Sequence, residues 1–92
     1  MGKVTAHILI SGRVQGVFYR SWTKELAESL GITGWVKNTS DGKVEIVSQG
    51  DKSNLDEFIK SLYIGSELAK VEDLIVEKVE GSEVFEDFKV KV

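Results

Sequence analysis

The hydrophobic pattern of this chain switches twice from a strand period to a helix period, and that order restricts the fold more than any other feature. Val4 to Ser11 alternates apolar and polar side chains, as in a strand with one buried face. The apolar residues of that face are Val4, Ala6, Ile8 and Ile10. From Arg20 to Leu30 the apolar residues recur every four positions, which predicts a helix. Its buried side is predicted to carry Trp22, Leu26 and Leu30.

A hairpin and a second helix follow. Gly34 to Asn38 and Lys43 to Gln49 are predicted strands, and Asp41-Gly42 between them is typical of a tight hairpin turn. Ser53 and Asp56 have the spacing of a capping box, which predicts that a helix begins there. The buried stripe of this helix is Leu55, Phe58, Ile59 and Leu62.

The last third of the chain is predicted to hold two more strands. Ala69 to Val79 is the first of them, and the apolar residues of the short second strand are Phe85, Phe88, Val90 and Val92. The element order is therefore β-α-β-β-α-β with a small additional strand. We predict an α+β fold, a ferredoxin-like βαββαβ sandwich in which two helices cover one face of an antiparallel sheet of four to five strands. A length of 92 residues predicts one domain spanning residues 1–92.

The composition excludes several kinds of site. The chain has no cysteine and a single histidine, His7, which excludes disulfides, thiolate nucleophiles and zinc sites built from several histidines. A net charge of −3, from 12 basic and 15 acidic residues, disfavours general binding to nucleic acids. No apolar run approaches the ~20 residues of a membrane span, and no signal-peptide pattern opens the chain. We therefore expect a soluble, cytoplasmic protein, and a monomer, with no metal, cofactor, nucleic acid or membrane partner.

The segment Ser11 to Arg20 connects the first strand to the first helix and has the composition of an anion-binding loop. Gly12 and Gly16 allow the backbone to curl, so that successive N–H groups converge on one point. The start of the helix and the guanidinium of Arg20 add positive charge at the same place. The lysine and hydroxyl of a nucleotide-binding P-loop are missing, since Val17 and Phe18 follow Gly16. On the pattern alone, an ordinary glycine-rich connection between a strand and a helix is favoured over an anion-binding loop.

A second motif, Gly34-Trp35-Val36-Lys37-Asn38 with Asp41-Gly42, carries the decision about function. Together with Gly12, Val14-Gln15-Gly16-Val17 and Tyr19-Arg20, it closely resembles the acylphosphatase family. Weaker matches follow in the same order at Gly65-Ser66, Ala69-Lys70-Val71, Phe85 and Phe88. The resemblance covers nearly the whole chain, although Glu67 stands where family members often carry proline.

This resemblance implies an enzyme that hydrolyses the carboxyl-phosphate bond of acyl phosphates, giving a carboxylate and inorganic phosphate. It implies that Arg20 and Asn38 are catalytic, with Asn38 orienting the attacking water. The implied phosphate-binding backbone residues are Arg13, Val14, Gln15, Gly16, Val17, Phe18 and Tyr19, with Gly12 and Thr39 as supporting residues. It implies no cofactor and no metal.

Two other functions share this pattern. Acylphosphatase-like domains occur within larger maturation proteins that handle carbamoyl phosphate. RNA-recognition domains have the same element order, but they stack bases on aromatic residues of central strands, and Lys43 to Gln49 has none. His7, in the middle of a strand, is expected to be structural or exposed to solvent rather than catalytic.

Overall fold

The computed structural model describes residues 3–80 and 83–91, and its elements follow the predicted order. The strands are β1 Lys3–Arg13, β2 Thr33–Asn38, β3 Val44–Asp51, β4 Lys70–Val79 and β5 Phe88–Val90. The helices are α1 Tyr19–Ser29 and α2 Lys52–Ile64. The predicted α+β, ferredoxin-like arrangement is confirmed, whereas a single domain over residues 1–92 stays a prediction.

The five strands form one sheet in the order β4-β1-β3-β2-β5. The first four are antiparallel to their neighbours, as predicted, but β5 runs parallel to β2. The prediction of a purely antiparallel sheet is therefore wrong at its last strand. Strands β4 and β5 occupy opposite edges of the sheet. The pairings place β4 in the direction opposite to β2, and β5, which runs opposite to β4, is therefore parallel to β2.

Both helices pack on one face of the sheet and enclose the core. The buried residues of β1 are Ala6, Ile8 and Ile10, on the face that the alternation predicts. Those of α2 are Leu55, Phe58 and Leu62. In α1 the buried positions are Tyr19, Thr23 and Ala27, whereas the predicted Trp22, Leu26 and Leu30 are only partly buried. The line of contact is displaced because Tyr19 enters the core, where its hydroxyl donates a hydrogen bond of 2.9 Å to the carbonyl of Leu62.

Several boundaries differ from the prediction, among them both ends of α2 and the start of β5. Helix α2 begins at Lys52, and its N-cap residue Asp51 makes no side-chain capping hydrogen bond, so the predicted capping box is wrong. The helix continues to Ile64, two residues past Leu62, the last residue of the predicted buried stripe. Strand β5 begins at Phe88 and leaves out Phe85, while Val92 lies outside the described residues.

The opposite face of the sheet carries no helix in the described part of the chain, and it is partly polar. There His7 Nε2 lies 2.7 Å from Glu45 Oε2, which agrees with the expected structural role of His7. Neither helix described for residues 3–80 and 83–91 is long and apolar enough to cross a bilayer.

Candidate active site

The connection between β1 and α1 is shorter than the sequence predicts. Strand β1 continues through Arg13, which pairs with Lys70 of β4, so that only residues 14–18 lie outside regular structure. Gly12 lies at the bulge where the pairing of β1 with β4 shifts. A Cβ atom at Gly12 would lie 2.2 Å from the carbonyl oxygen of Lys70. Gly12 therefore allows β4 to approach and gives the loop its starting direction.

The backbone of the loop alternates in the sign of φ. Gly16 has φ 73° and Phe18 has φ 61°, and Phe18 is the single non-glycine residue with positive φ in the described part of the chain. Because alternation of this kind turns successive N–H groups toward one side, it produces a concave anion-binding nest. The first turn of α1 follows directly after Phe18 and adds N–H groups that have no partner within the helix.

This loop borders a cavity of about 300 Å³. The residues that line it are Val14, Gly16, Phe18, Tyr19, Arg20, Ser21, Asn38 and Val90. Among these described residues Arg20 is the only charged one, and none is a carboxylate or a histidine. The cavity is therefore locally cationic in a chain whose net charge is −3, which favours an anionic ligand.

Arg20 is oriented by the end of β5. Its Nη1 donates a hydrogen bond of 3.2 Å to the carbonyl of Lys91. The N–H of Lys91 in turn donates to the carbonyl of Val36, at 2.8 Å, and its Nζ lies 4.4 Å from the centre of the Trp35 ring. A cation over an aromatic face is attracted by the ring quadrupole. Trp35 and Val36 of β2 thus hold the residue that orients Arg20.

Asn38 is the last residue of β2 and brings an amide to the same cavity. Its Oδ1 is buried and has no hydrogen-bond partner among the described residues. A buried polar atom without a partner is costly, because it has lost its hydration and gained nothing in exchange. Because Asn38 also lines the cavity, a small rotation of its side chain would let this amide oxygen accept a hydrogen bond from a water or a ligand there.

Gln15 joins the loop to the β2–β3 hairpin. Its Nε2 donates hydrogen bonds to the carbonyls of Thr39, at 2.9 Å, and Lys43, at 2.8 Å. These two residues lie directly after Asn38 and directly before Val44, its partner in β3. One side chain therefore ties the anion-binding loop to the strand end that carries Asn38.

Thr39 is engaged within the hairpin. Its hydroxyl donates to the carboxylate of Asp41 and accepts a hydrogen bond of 3.0 Å from the N–H of Lys43. The hydroxyl of Thr39, followed by Lys43, holds the pKa of the Asp41 carboxyl below its usual value. Thr39 thus contacts the turn beside Asn38 rather than the cavity.

Tyr19 lines the cavity but is not available as an acid or a base. Its ring is buried, its hydroxyl is bonded to the carbonyl of Leu62, and burial raises the pKa of the phenol above its usual range. Its ring centre lies 5.2 Å from that of Trp22. Tyr19 therefore anchors the start of α1 in the core, the packing role that an aromatic residue ordinarily has.

Some of the predicted catalytic and phosphate-binding residues line the cavity, and others do not. It brings together Arg20, Asn38 and four loop residues, which are Val14, Gly16, Phe18 and Tyr19. Three other loop residues are turned elsewhere: Arg13 is exposed in β1, Gln15 binds the hairpin, and Val17 packs against the core. Gly12 and Thr39 support the loop and the hairpin from outside the cavity.

Two lining residues, Ser21 and Val90, were missed by the sequence analysis. The position of Ser21, one residue after Arg20 in the first helical turn, was a usable signal. Nothing in the sequence indicates Val90, because the parallel pairing of β5 with β2 brings it there. In residues 3–80 and 83–91 no group of three or more potential metal ligands is found.

Comparisons with known proteins agree with this architecture. A profile of the acylphosphatase family matches residues 6–90. An acylphosphatase of Haloarcula marismortui is 42% identical over 91 residues, which cover 99% of this chain and 99% of that protein. The crystal structure of acylphosphatase from Bacillus subtilis superposes with a TM-score of 0.93 at 34% identity, covering 97% of this chain and 99% of that chain. A crystal structure of full-length HypF in its phosphate- and nucleotide-bound form contains a similar region, with a TM-score of 0.90 at 27% identity. That match covers 99% of this chain and 12% of HypF.

Proposed function

The chain belongs to the acylphosphatase family and hydrolyses acyl phosphates, and from this premise we propose how its residues carry out the reaction. The observation that carries the proposal is that two residues of different elements line one cavity: Arg20, its only charged residue among the described ones, and Asn38, whose buried Oδ1 has no hydrogen-bond partner among them. One group is suited to an anion and the other to a water.

The loop and Arg20 bind the phosphoryl group. The N–H groups of residues 14–19 and the first turn of α1 surround its oxygens, and the guanidinium fork of Arg20 pairs with two of them. Phosphoryl transfer depends mainly on positioning and on stabilising charge at these oxygens. Donors held before the reaction serve this purpose without reorganising during it.

Asn38 positions the nucleophile. Its Oδ1 accepts a hydrogen bond from a water and directs the water oxygen at phosphorus. The new P–O bond forms as the bond between phosphorus and the acyl oxygen breaks, so that the products are a carboxylate and inorganic phosphate. An amide is too weak a base to take the proton of the water, and the cavity lining holds no carboxylate or histidine among its described residues. A phosphoryl oxygen of the substrate therefore takes the proton.

The leaving group explains why so few residues suffice. An acyl phosphate is a mixed anhydride whose leaving carboxylate is already a stable anion at neutral pH. No general acid is needed to protonate it, and no metal is needed to neutralise it. Metal independence, a monomeric state and a cytoplasmic location are parts of the same proposal.

Hydrolysis of benzoyl phosphate in the presence of a chelator tests the proposal. We expect turnover that the chelator leaves unchanged, and loss of activity on chelation would contradict metal independence. An Asn38→Ala variant is expected to lower kcat by ~10²–10³-fold, the usual effect of removing one oriented polar group. The matched control is Asn54→Ala at an exposed position of α2, for which kcat stays within about twofold of the parent. Equal rates in the Asn38→Ala and parent proteins would remove the proposed role.

The same assay addresses the two alternative functions. A much higher kcat/KM for carbamoyl phosphate than for benzoyl phosphate would favour a module related to the HypF region. Retention of RNA on a filter, together with no hydrolysis of either compound, would favour an RNA-binding module. We expect no RNA retention, because Arg20 is the only charged residue that lines the cavity in the described part of the chain. We expect no preference for carbamoyl phosphate, because the acylphosphatases compared above match this chain over nearly their whole length.

A further inference from the structure

Phe18 is exposed and strained at the mouth of the cavity. Its side chain is 78% exposed, the largest exposure among the large apolar residues described. Its φ of 61° lies in the left-handed region, which is unfavourable for a bulky side chain. Glycine or asparagine would give the loop the same backbone without either cost. Strain retained beside a functional site points to a role for the side chain itself.

Val90 provides a second apolar surface at the same opening. It belongs to β5, is 38% exposed, and lines the cavity together with Phe18. Val14, only 1% exposed, forms an apolar wall deeper inside. These three side chains come from the loop and from β5, so the apolar surface depends on the fold and not on one local run of sequence.

The acyl end of a bound substrate would lie against this apolar surface. An acyl phosphate has one anionic end, which the loop and Arg20 hold, and one carbon end, which has to extend toward the opening. A volume of about 300 Å³ is at the lower limit of cavities that enclose a whole small molecule, and it exceeds what a phosphoryl group alone requires. The exposed apolar side chains among the lining residues are those of Phe18 and Val90.

We propose that Phe18 and Val90 form an acyl subsite that selects acyl phosphates with an aromatic or other apolar acyl group over acetyl phosphate. This inference rests on the proposed function, since it requires the phosphoryl group to lie in the loop. Both side chains line the same cavity and are exposed, so water leaves both surfaces when an apolar acyl group enters. Transition-state binding gains from the larger apolar group, because the same contact persists while the phosphoryl group is transferred.

The test compares the kcat/KM for benzoyl phosphate with that for acetyl phosphate in each variant. The two compounds differ in intrinsic reactivity, so the informative quantity is the ratio of their kcat/KM values relative to the parent protein. Phe18→Asn tolerates the left-handed backbone and removes the ring. We expect it to lower the benzoyl-to-acetyl ratio by about tenfold, the usual effect of losing one good apolar contact with a ligand. Phe18→Leu keeps an apolar surface and is expected to retain most of the ratio.

Val84→Asn is the matched control. Val84 is an apolar residue that is 70% exposed and lies outside the cavity lining, so this variant is expected to leave the ratio unchanged. The proposal is overturned if Phe18→Asn lowers kcat/KM for both substrates by one factor, since Phe18 would then act only through the loop backbone. It is also overturned if the ratio does not change, or if Phe18→Leu loses as much as Phe18→Asn. Failure of the parent protein to hydrolyse either compound would instead contradict the proposed function.

Discussion

Arg20 is held by a neutral backbone carbonyl, which orients the guanidinium without offsetting its positive charge. The carbonyl of Lys91 accepts a hydrogen bond from its Nη1, but none of the ion pairs formed by the described residues includes Arg20. A carboxylate partner would fix the guanidinium equally well, but it would also cancel the charge needed for an anionic substrate. Orientation by a neutral acceptor leaves that charge available.

An Arg20→Lys variant separates charge from geometry. Lysine keeps the positive charge but loses the planar fork that pairs with two oxygens. We expect kcat/KM for benzoyl phosphate to fall by ~10²-fold in Arg20→Lys and by ~10³-fold in Arg20→Ala. Lys24→Ala, which removes a partly exposed cation that pairs with Glu28 on the same helix, is the control and is expected to change kcat/KM by less than about twofold. Full activity in Arg20→Lys would show that point charge alone suffices.

At the scale of elements, the site depends on how the β1–α1 loop meets the β2–β3 hairpin. These two elements approach each other through Gln15, whose Nε2 bridges the carbonyls of Thr39 and Lys43. The sequence motif includes Gln15, but the motif alone implies a role only for its backbone N–H, in binding phosphate. The hydrogen bonds show a side chain that sets the distance between the loop and Asn38.

A Gln15→Met variant removes both hydrogen bonds at nearly constant volume. We expect the free energy of unfolding in urea to fall by about 1–3 kcal/mol, because two side-chain hydrogen bonds are lost, although the carbonyls of Thr39 and Lys43 keep the backbone N–H groups of Gly42 and Thr39 as donors. We expect kcat/KM to fall by about tenfold or more, because a small displacement of the reacting groups lowers the rate steeply. Ser40→Ala, at an exposed position of the same hairpin, is the control for both measurements. A stability loss with unchanged kcat/KM would contradict the positioning role.

Gly34 is required by the contact of β2 with β3. Its φ is 137°, and a Cβ atom there would lie 1.9 Å from the carbonyl oxygen of Val47. We expect Gly34→Ala to lower the free energy of unfolding by about 3 kcal/mol or more, since backbone atoms of β3 would have to move. Gly31 has φ 69° with open space around it, so Gly31→Ala should cost only about 1–2 kcal/mol of conformational strain. Urea denaturation of the two variants measures the difference, and equal losses would show that backbone strain alone accounts for both.

At the scale of the whole molecule, the cavity is built by parts of the chain that are far apart in sequence. Its lining comes from the loop and the start of α1, from Asn38 at the end of β2 and from Val90 of β5. A ligand that binds there contacts only the folded state, since these segments separate on unfolding. Ligand binding and global stability are therefore coupled.

Inorganic phosphate, as the product, is expected to raise the melting temperature. At a concentration of 100 times its Kd it adds about 2.7 kcal/mol to the free energy of unfolding, which for a domain of this size corresponds to a rise in Tm of roughly 10 °C or more. Sodium chloride at equal ionic strength controls for general screening. The Arg20→Ala variant should lose most of the shift. An equal rise in both proteins would indicate a nonspecific salt effect.

The sequence by itself determined the order of the elements, the buried face of β1 and the identity of Arg20 and Asn38 as candidate residues. The element order and the buried face follow from local features, because periodicity and turn residues depend on neighbours in the chain. The two candidate residues follow from the resemblance of two short motifs to the acylphosphatase family. It did not determine the boundaries at Arg13 and Lys52, where strand pairing and packing decide how far an element extends.

Only the tertiary structure decided how the site is assembled. The hydrogen bond from Arg20 to Lys91 joins residues 71 positions apart, and Val90 reaches the cavity because β5 pairs in parallel with β2. Burial of the Asn38 Oδ1 likewise results from packing around the end of β2. Contacts of this kind depend on the path of the chain across the whole sheet. A local pattern of residues does not predict that path.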